Sequence, residues 1–241
     1  MIDFSGRRIV VIGGGSGIGL AAVGLLQGLG ARIAVGDRDG STPDRLPEGA
    51  SFHACDATDP ASVAAMLDAA EAALGGIDSL FITIGGAALG PLADMDLDGW
   101  RREIAFNLDS VYIACRAVLP RLPEGGSIVT TSSGYAIMAG VDRAAYTAAK
   151  AGVIAFSRSF AAIAAPARVR VNCIAPGPTD TPRFRAMNGG DEGVAKVQAA
   201  MPLGSIPTPE DCAKLAVFLL SDAASQITGQ TIHVNGGLLT P

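Results

Sequence analysis

The stretch Arg8–Gly19, which reads RIVVIGGGSGIG, joins an apolar run to a glycine-rich turn, and a helical stretch follows it. A strand, a glycine turn and a helix N-terminus form an anion site, because backbone N–H groups and the helix dipole favour negative charge there. Glycines lack Cβ atoms, so the backbone can approach a bound group closely. The stretch therefore predicts a phosphate cradle rather than a plain tight turn. Its candidate contacts are Gly13, Ser16, Gly17, Ile18 and Gly19.

Apolar strand-like runs alternate with helical stretches along the chain, which predicts an α/β fold with a parallel sheet and helices on both faces. The strand candidates are Arg8–Ile12, Ala31–Gly36, Ala50–Ala54, Ser79–Ile84, Ser127–Ser132, Arg168–Ala175 and Gln230–Val234. The helix candidates are Gly17–Leu29, Pro60–Leu74, Leu97–Leu119, Ala144–Ile163 and Pro209–Leu220. No change of composition marks a boundary, so residues 1–241 are predicted to form a single domain. The irregular segment 178–201 is long enough to form a mobile substrate lid.

Composition and charge argue against several classes of function. The 241 residues are 49% apolar and carry a net charge of −5 without a block of lysine or arginine, which argues against a nucleic-acid partner. The apolar runs are too short to span a bilayer and no signal peptide is visible, so we expect a cytoplasmic protein without a membrane partner. The four cysteines are widely spaced and form no zinc motif, so no metal is expected.

A carboxylate ends the second predicted strand. Asp37 lies 24 residues after Gly13, where it can accept hydrogen bonds from both ribose hydroxyls of an adenosine and would repel a 2′-phosphate. It therefore favours NAD over NADP, although Arg38 could attract that phosphate. Asp56 and Ala57 follow the third strand. Asp56 can reach an adenine amino group or serve as a helix-start carboxylate, and both interpretations remain open.

Tyr146 and Lys150 are four residues apart in a predicted helix, so their side chains share one face. A nearby ammonium favours the ionised form of a phenol, so we expect Lys150 to lower the pKa of Tyr146 toward the range of an acid/base catalyst. The alternative is a solvent-facing pair with no catalytic role.

With these residues in place, the chain resembles the short-chain dehydrogenase/reductase family over essentially its whole length, in the single-domain branch of about this size. The most specific feature is Ser133, thirteen residues before Tyr146, in combination with Lys150. The resemblance rests on Gly13…Gly17-Ile18-Gly19, Asn107, Ser133, Tyr146…Lys150, Pro176-Gly177, and the closing Gly229-Gln230…Asn235-Gly236-Gly237.

The resemblance implies a three-layer Rossmann-like fold with a seven-stranded parallel sheet in the order 3-2-1-4-5-6-7, and commonly a homotetramer. It also implies catalytic roles. Ser133 would hold the substrate oxygen, with its neighbour Ser132 as the rival, and Tyr146 would pass a proton to or from that oxygen. Lys150 would stabilise the phenolate and bind the nicotinamide ribose. Asn107 would hold a water linked to the lysine, unless it is an ordinary polar residue of its helix.

The same resemblance implies that the segment from Ile174 to Thr181 lies along the nicotinamide, with Thr179 and Thr181 as candidates to meet its carboxamide. Tyr146 and Lys150 would contact the cofactor as well, and the remaining contacts would be Gly85, Pro176 and Gly177.

The chain departs from the family's pattern in two places. Where the family usually has Asn-Asn-Ala-Gly at the end of the fourth strand, this chain has Ile82-Thr83-Ile84-Gly85, so apolar packing must replace the amide contacts. The family's usual threonine before the first glycine is replaced by Ile12.

These features predict an NAD(H)-dependent oxidoreductase that transfers a hydride between a secondary alcohol or ketone and nicotinamide. One alternative is an NADPH-dependent 3-oxoacyl thioester reductase, and another is a non-catalytic dinucleotide-binding sensor or scaffold. Several apolar residues fall where family pockets lie and suggest a mainly apolar substrate, although each could equally pack in the core or between subunits. They are Ile137, Met138, Val141, Phe184 and Met187.

Overall fold

The computed structural model describes residues 2–38, 40 and 42–240. Within these residues, seven parallel strands form one sheet in the order β3-β2-β1-β4-β5-β6-β7, which confirms the order that the family resemblance implied. The strands are β1 (Arg8–Ile12), β2 (Arg32–Asp37), β3 (Ser51–Ala54), β4 (Ser79–Ile82), β5 (Ser127–Thr131), β6 (Arg170–Pro176) and β7 (Thr231–Val234). The α-helices are α1 (Gly17–Gly28), α2 (Pro60–Leu74), α3 (Leu97–Ile104), α4 (Ser110–Val118), α5 (Ala144–Ala164), α6 (Pro182–Met187), α7 (Asp191–Ala199) and α8 (Pro209–Leu220).

Strand β1 shows why the predicted strands are continuous apolar runs. Val10 and Ile12 pack into the core on one face of the sheet, with residues of α2, α4 and α5. Ile9 and Val11 pack into the core on the other face, with residues of α1 and α8. All four side chains are fully buried. Because helices cover both faces, neither set of alternating side chains needs to be polar.

Local capping signals determine where α2 and α8 begin. The Asp59 carboxylate accepts a hydrogen bond from the backbone N–H of Ala61 at 3.0 Å, and Pro60 occupies the first turn. Thr208 and Asp211 form a reciprocal capping box at the start of α8. Both helices therefore span the residues predicted from the sequence.

Two regions differ from the prediction by more than a shift of one or two residues at an end. The predicted helix Leu97–Leu119 consists of α3, a π-helical turn over Ala105–Asp109, and α4. Such turns add one residue to a helical repeat and often occur at functional sites. The segment 178–201, which the sequence left irregular, contains α6 and α7.

Helix α5 is long and apolar, although the uninterrupted apolar runs of the sequence are too short to span a bilayer. With the turn that follows it, Ala144–Ala167 is the one helix among the described residues that is long and apolar enough to cross a membrane, judged by length and composition alone. The helix packs on β6, and its side chains Val153, Phe160 and Ala164 lie in the core. These are the contacts of a core helix.

Candidate active site

The glycine turn after β1 has the backbone that a phosphate cradle needs. Gly13 has φ +86° and Gly17 has φ +50°, a region that favours glycine. A Cβ at Gly19 would overlap the carbonyl oxygen of Gly13, so only glycine permits this close packing. Ser16 precedes α1 with an extended backbone and makes no capping hydrogen bond with its side chain. The turn therefore fits the pyrophosphate of a dinucleotide, whose negative charge the N-terminus of α1 would stabilise.

The end of β2 carries the predicted ribose carboxylate. Asp37 Oδ2 accepts a hydrogen bond from the backbone N–H of Gly15 at 2.9 Å, which fixes the carboxylate beside the glycine turn. The Arg38 guanidinium lies over the ring of Phe106, 5.4 Å from its centroid. This contact with Phe106 restrains Arg38 at the end of β2.

Asp56 forms a local turn in the structure. Its Oδ1 accepts hydrogen bonds from the backbone N–H of Thr58 at 2.9 Å and from the Thr58 hydroxyl at 2.7 Å. These bonds are the main reason that the pKa of Asp56 is lowered, and the charge of Arg38 contributes. The N-cap of α2 is Asp59, whereas Asp56 orders the turn before it, and the adenine contact stays a prediction. Ala57 is buried beside it.

The structure distinguishes Ser133 from its neighbour Ser132. Ser132 Oγ donates to the backbone carbonyl of Lys150 at 2.7 Å and is buried. Ser133 follows β5 and lines the main cleft together with Tyr146, and it lies close enough to lower the pKa of that phenol. Its Oγ also accepts the backbone N–H of Tyr135 at 3.2 Å, which fixes its position. Ser133 is therefore the serine that can hold a substrate oxygen.

Lys150 is buried behind the cleft. Its ammonium donates to the backbone carbonyls of Ile84 and Thr131, each at 3.0 Å. An ammonium has three N–H donors, so within the described residues one donor is left over. Burial lowers the pKa of Lys150 to about 8.

This burial makes the stability of the protein depend on pH. The folded pKa of Lys150 lies near 8, below its ordinary value of 10.5, so the unfolded chain binds more protons between these values and stability rises with pH across that window. Relative to Lys150→Met, the free energy of unfolding of the wild type is expected to rise by up to about 2 kcal/mol from about pH 7.5 to about pH 9.5. Urea unfolding of both proteins at both pH values measures this, and a constant difference would contradict it.

The predicted direction of the Tyr146 pKa is wrong. Burial raises the pKa of the phenol, and the nearby Ser133 hydroxyl and the charges of Arg143 and Arg183 oppose this only in part. Lys150 Nζ lies 5.9 Å from the centroid of the phenol ring and points toward the two carbonyls. Tyr146 without cofactor is therefore a protonated group, suited to donate a proton.

Asn107 lies in the π-helical turn and is fully buried. Its side chain exchanges hydrogen bonds with Gly86, since Oδ1 accepts the Gly86 N–H at 2.9 Å and Nδ2 donates to the Gly86 carbonyl at 3.1 Å. Nδ2 also donates to Oε2 of Glu103 at 3.3 Å. Asn107 thus holds the loop after β4 in place, and its predicted water contact stays a prediction.

Apolar packing replaces the family's amides at the end of β4. Ile84 packs against the core, and its Cδ1 would lie 3.1 Å from a Cβ at Gly13. The backbone of Thr83 donates to the carbonyl of Ile12 at 2.9 Å. The loop keeps its attachment to β1 by backbone bonds, and the Ile84 carbonyl still binds Lys150.

A cleft of about 690 Å³ lies where strands β5 and β6 end. Met138, Phe184 and Met187 line it, whereas Ile137 lies in a separate groove and Val141 is exposed. The cleft brings together eight predicted site residues: Ile18, Gly85, Ser133, Tyr146, Pro176, Gly177, Thr179 and Thr181.

The described residues contain no group of three or more His, Cys, Asp or Glu side chains that could hold a metal ion.

Thr179 and Thr181 already have partners for their hydroxyls. Thr179 Oγ1 donates to the Gly177 carbonyl at 3.1 Å, and Thr181 Oγ1 accepts the Phe184 N–H at 3.1 Å. Thr181 keeps its own O–H donor, so it fits the predicted carboxamide contact better than Thr179.

Sequence reasoning missed two arginines in the cleft. Arg143 stacks on Tyr135 at 4.3 Å from the ring centroid, and Arg183 reaches across the cleft from α6 to the carbonyl of Ala87 at 2.7 Å. Arg143 stands three residues before Tyr146, a spacing that could have indicated it. No local pattern singles out Arg183, because it lies in the segment that the sequence left unassigned.

Comparison with known proteins decides the family. A family model described as enoyl-(acyl carrier protein) reductase matches residues 13–239. The chain is 37% identical to cis-4-hydroxycyclohexanecarboxylate dehydrogenase of Sinomonas cyclohexanicum, over 97% of each protein. The chain belongs to the short-chain dehydrogenase/reductase family. As a member of this family, it is an NAD(P)-dependent oxidoreductase that acts on alcohols or ketones.

Two further similarities support this assignment. The chain is 34% identical to 2,5-dichloro-2,5-cyclohexadiene-1,4-diol dehydrogenase of Sphingobium indicum, over 98% of each protein. Its structure is similar to a short-chain dehydrogenase/reductase from Brucella melitensis described as a glucose/ribitol dehydrogenase, with a TM-score of 0.94 and 32% identity. That similarity covers 100% of this chain and 99% of the other.

Proposed function

We propose that the protein is an NAD(H)-dependent dehydrogenase of secondary alcohols, which also reduces the corresponding ketones. The observation that carries this proposal is that Ser133 and Tyr146 line the same cleft, with Lys150 fixed behind it. The relatives described above are named for cyclic secondary alcohols, a hydroxycyclohexanecarboxylate and a cyclohexadienediol. The apolar residues of the cleft suit such ring substrates.

In the oxidation direction, Tyr146 first gives up its own proton and then, as the phenolate, takes the proton of the substrate hydroxyl. The Ser133 hydroxyl donates a hydrogen bond to the same oxygen. A bound nicotinamide would supply the acceptor for the hydride that leaves the substrate carbon. The remaining N–H of Lys150 would hold the ribose beside the nicotinamide, and its positive charge would stabilise the phenolate. In the reduction direction, Tyr146 returns the proton. Since burial raises its pKa, Tyr146 is already protonated at neutral pH for this step.

Asp37 supports the preference for NAD, because its carboxylate lies beside the glycine turn where a 2′-phosphate would meet like charge. We expect kcat/KM with NADH to exceed that with NADPH by about tenfold or more. Asp37→Asn keeps an acceptor for the Gly15 N–H but removes the charge, so it should reduce the preference. The control is Asp44→Asn, which removes an exposed charge nearby and should leave the preference unchanged.

The same assay distinguishes the two alternative functions from the proposed one. A strong preference of the wild type for NADPH would contradict the proposal and favour the 3-oxoacyl thioester reductase, with Arg38 binding the extra phosphate. A protein that binds NAD but turns over none of a broad panel of secondary alcohols and ketones would be the sensor or scaffold. The panel is read by the absorbance of the reduced nicotinamide.

A further inference from the structure

Arg183 lies on α6, in the predicted lid segment, and its guanidinium lines the cleft. Nη2 donates to the carbonyl of Ala87 at 2.7 Å, and a Cβ at Gly86 would lie 2.8 Å from Cζ. The side chain thus crosses the cleft and rests on the loop after β4. A guanidinium has five N–H donors, and within the described part of the chain Ala87 is its one hydrogen-bond partner.

The other charged groups that line the cleft are neutralised locally. Arg143 forms a bidentate pair with Asp142, at 2.7 Å from Nε to Oδ1 and 3.0 Å from Nη2 to Oδ2. Lys196 pairs with Glu192 at 2.8 Å. Among the described residues that line the cleft, Arg183 is therefore the cation without an ion pair.

Glu103 is a candidate to balance this charge. Arg183 acts on it electrostatically, but Glu103 makes no ion pair with it within 4.0 Å, and its oxygens accept from Ala88 and Asn107, each at 3.3 Å. Glu103 thus supports the loop after β4. The remaining N–H donors of the Arg183 guanidinium stay available to a ligand in the cleft.

We infer that Arg183 binds a carboxylate group of the substrate, so that the protein acts on hydroxy acids and the corresponding oxo acids. This inference rests on the proposed function and names its substrate class. Arg183 and Tyr146 share one cavity, and the charge of Arg183 reaches the phenol. One end of the substrate is thus held by charge while its alcohol carbon lies at Tyr146, and the apolar residues Met138, Phe184 and Met187 contact the hydrocarbon between them.

A carboxylate matches the Arg183 guanidinium in both charge and geometry. The planar guanidinium forms two parallel hydrogen bonds with a carboxylate, and both become charge-assisted. The cleft offers one unbalanced positive charge, which one monoanionic group compensates. A neutral carboxamide of the same shape keeps only part of these bonds, so we expect it to bind about tenfold or more weakly.

Binding of non-reacting ligands tests this inference without catalysis. Cyclohexanecarboxylate and cyclohexanecarboxamide are titrated by calorimetry into the NAD-loaded wild type, Arg183→Met, Arg183→Lys and Arg185→Met. Arg185 is the matched control, because it removes a positive charge from the same helix but pairs with Asp180 and Asp191 and does not line the cleft. We expect the wild type and Arg185→Met to prefer the carboxylate about tenfold or more, Arg183→Lys to keep part of this preference, and Arg183→Met to lose it.

The outcomes distinguish the inference from the proposed function. The inference is overturned if the wild type shows no preference for the carboxylate, if the preference survives in Arg183→Met, or if that variant loses the carboxamide as well, since Arg183 would then only hold the segment 178–201. Kinetics with oxocyclohexanecarboxylates and the matching carboxamides repeat the comparison as kcat/KM. Turnover of both classes with equal efficiency would leave the proposed function standing and remove the carboxylate site.

Discussion

Replacing Tyr146 with phenylalanine is expected to lower kcat for alcohol oxidation by about a hundredfold to ten-thousandfold, because the variant loses the group that transfers the proton. The affinity for NAD should change by about twofold at most, since the ring stays in place and Lys150 keeps its two carbonyl partners. Steady-state kinetics and fluorescence titration with NADH measure the two effects separately.

Tyr112→Phe is the control for this substitution. Tyr112 is 47% exposed on α4 and does not line the cleft, so loss of its hydroxyl should leave kcat unchanged. If Tyr146→Phe retained most of the wild-type activity, Tyr146 could not be the acid/base group.

Gly85→Ala is expected to lower kcat/KM by about a hundredfold or more. A Cβ at this position would lie 2.6 Å from Lys150 Nζ and 2.9 Å from Asn107 Oδ1, and the φ of +147° is one that residues with side chains rarely adopt. The methyl group must therefore displace the ammonium from the carbonyls of Ile84 and Thr131, and small displacements of catalytic groups have large effects on rate.

Gly90→Ala is the matched control in the same loop, because nothing lies within 4 Å of a Cβ there. Circular dichroism and urea unfolding check that both variants fold. A folded Gly85→Ala protein with wild-type kinetics would show that the position of Lys150 does not matter for catalysis.

The sheet was predictable because its strands carry their own signal. The burial of β1 on both faces makes Ile9–Ile12 a continuous apolar run, and the Asp59 and Thr208 caps mark the starts of α2 and α8. Strand ends were less predictable. The predicted strand Ser79–Ile84 ends at Ile82, since the chain leaves the sheet there to form the loop that reaches Lys150 and Asn107.

The candidate site was predictable where it depends on spacing along one element. Tyr146 and Lys150 lie on one helix, and Ser133 comes two residues after the end of β5. The π-helical turn at Asn107 could not be predicted, because a single added residue leaves the polar and apolar pattern of a helix almost unchanged. Arg183 could not be predicted either, since its role depends on contacts with a loop 96 residues away in the sequence.

The predicted lowering of the Tyr146 pKa is wrong for a related reason. Helical spacing indicates that two side chains share a face, but it does not give the direction in which each points. Lys150 turns to the carbonyls of Ile84 and Thr131, and burial then decides the pKa of the phenol. Charge and burial come from the assembled fold, which spacing alone cannot supply.

Transfer of deuterium from a secondary alcohol labelled at its carbinol carbon tests the account most directly. The substrate is the best member of the alcohol panel, and the reduced nucleotide is analysed by mass spectrometry. We expect NADH to carry one deuterium per ketone formed, and Tyr146→Phe to form almost none of either product. Ketone formed without deuterium in the nucleotide, or full transfer in Tyr146→Phe, would contradict hydride transfer assisted by this tyrosine.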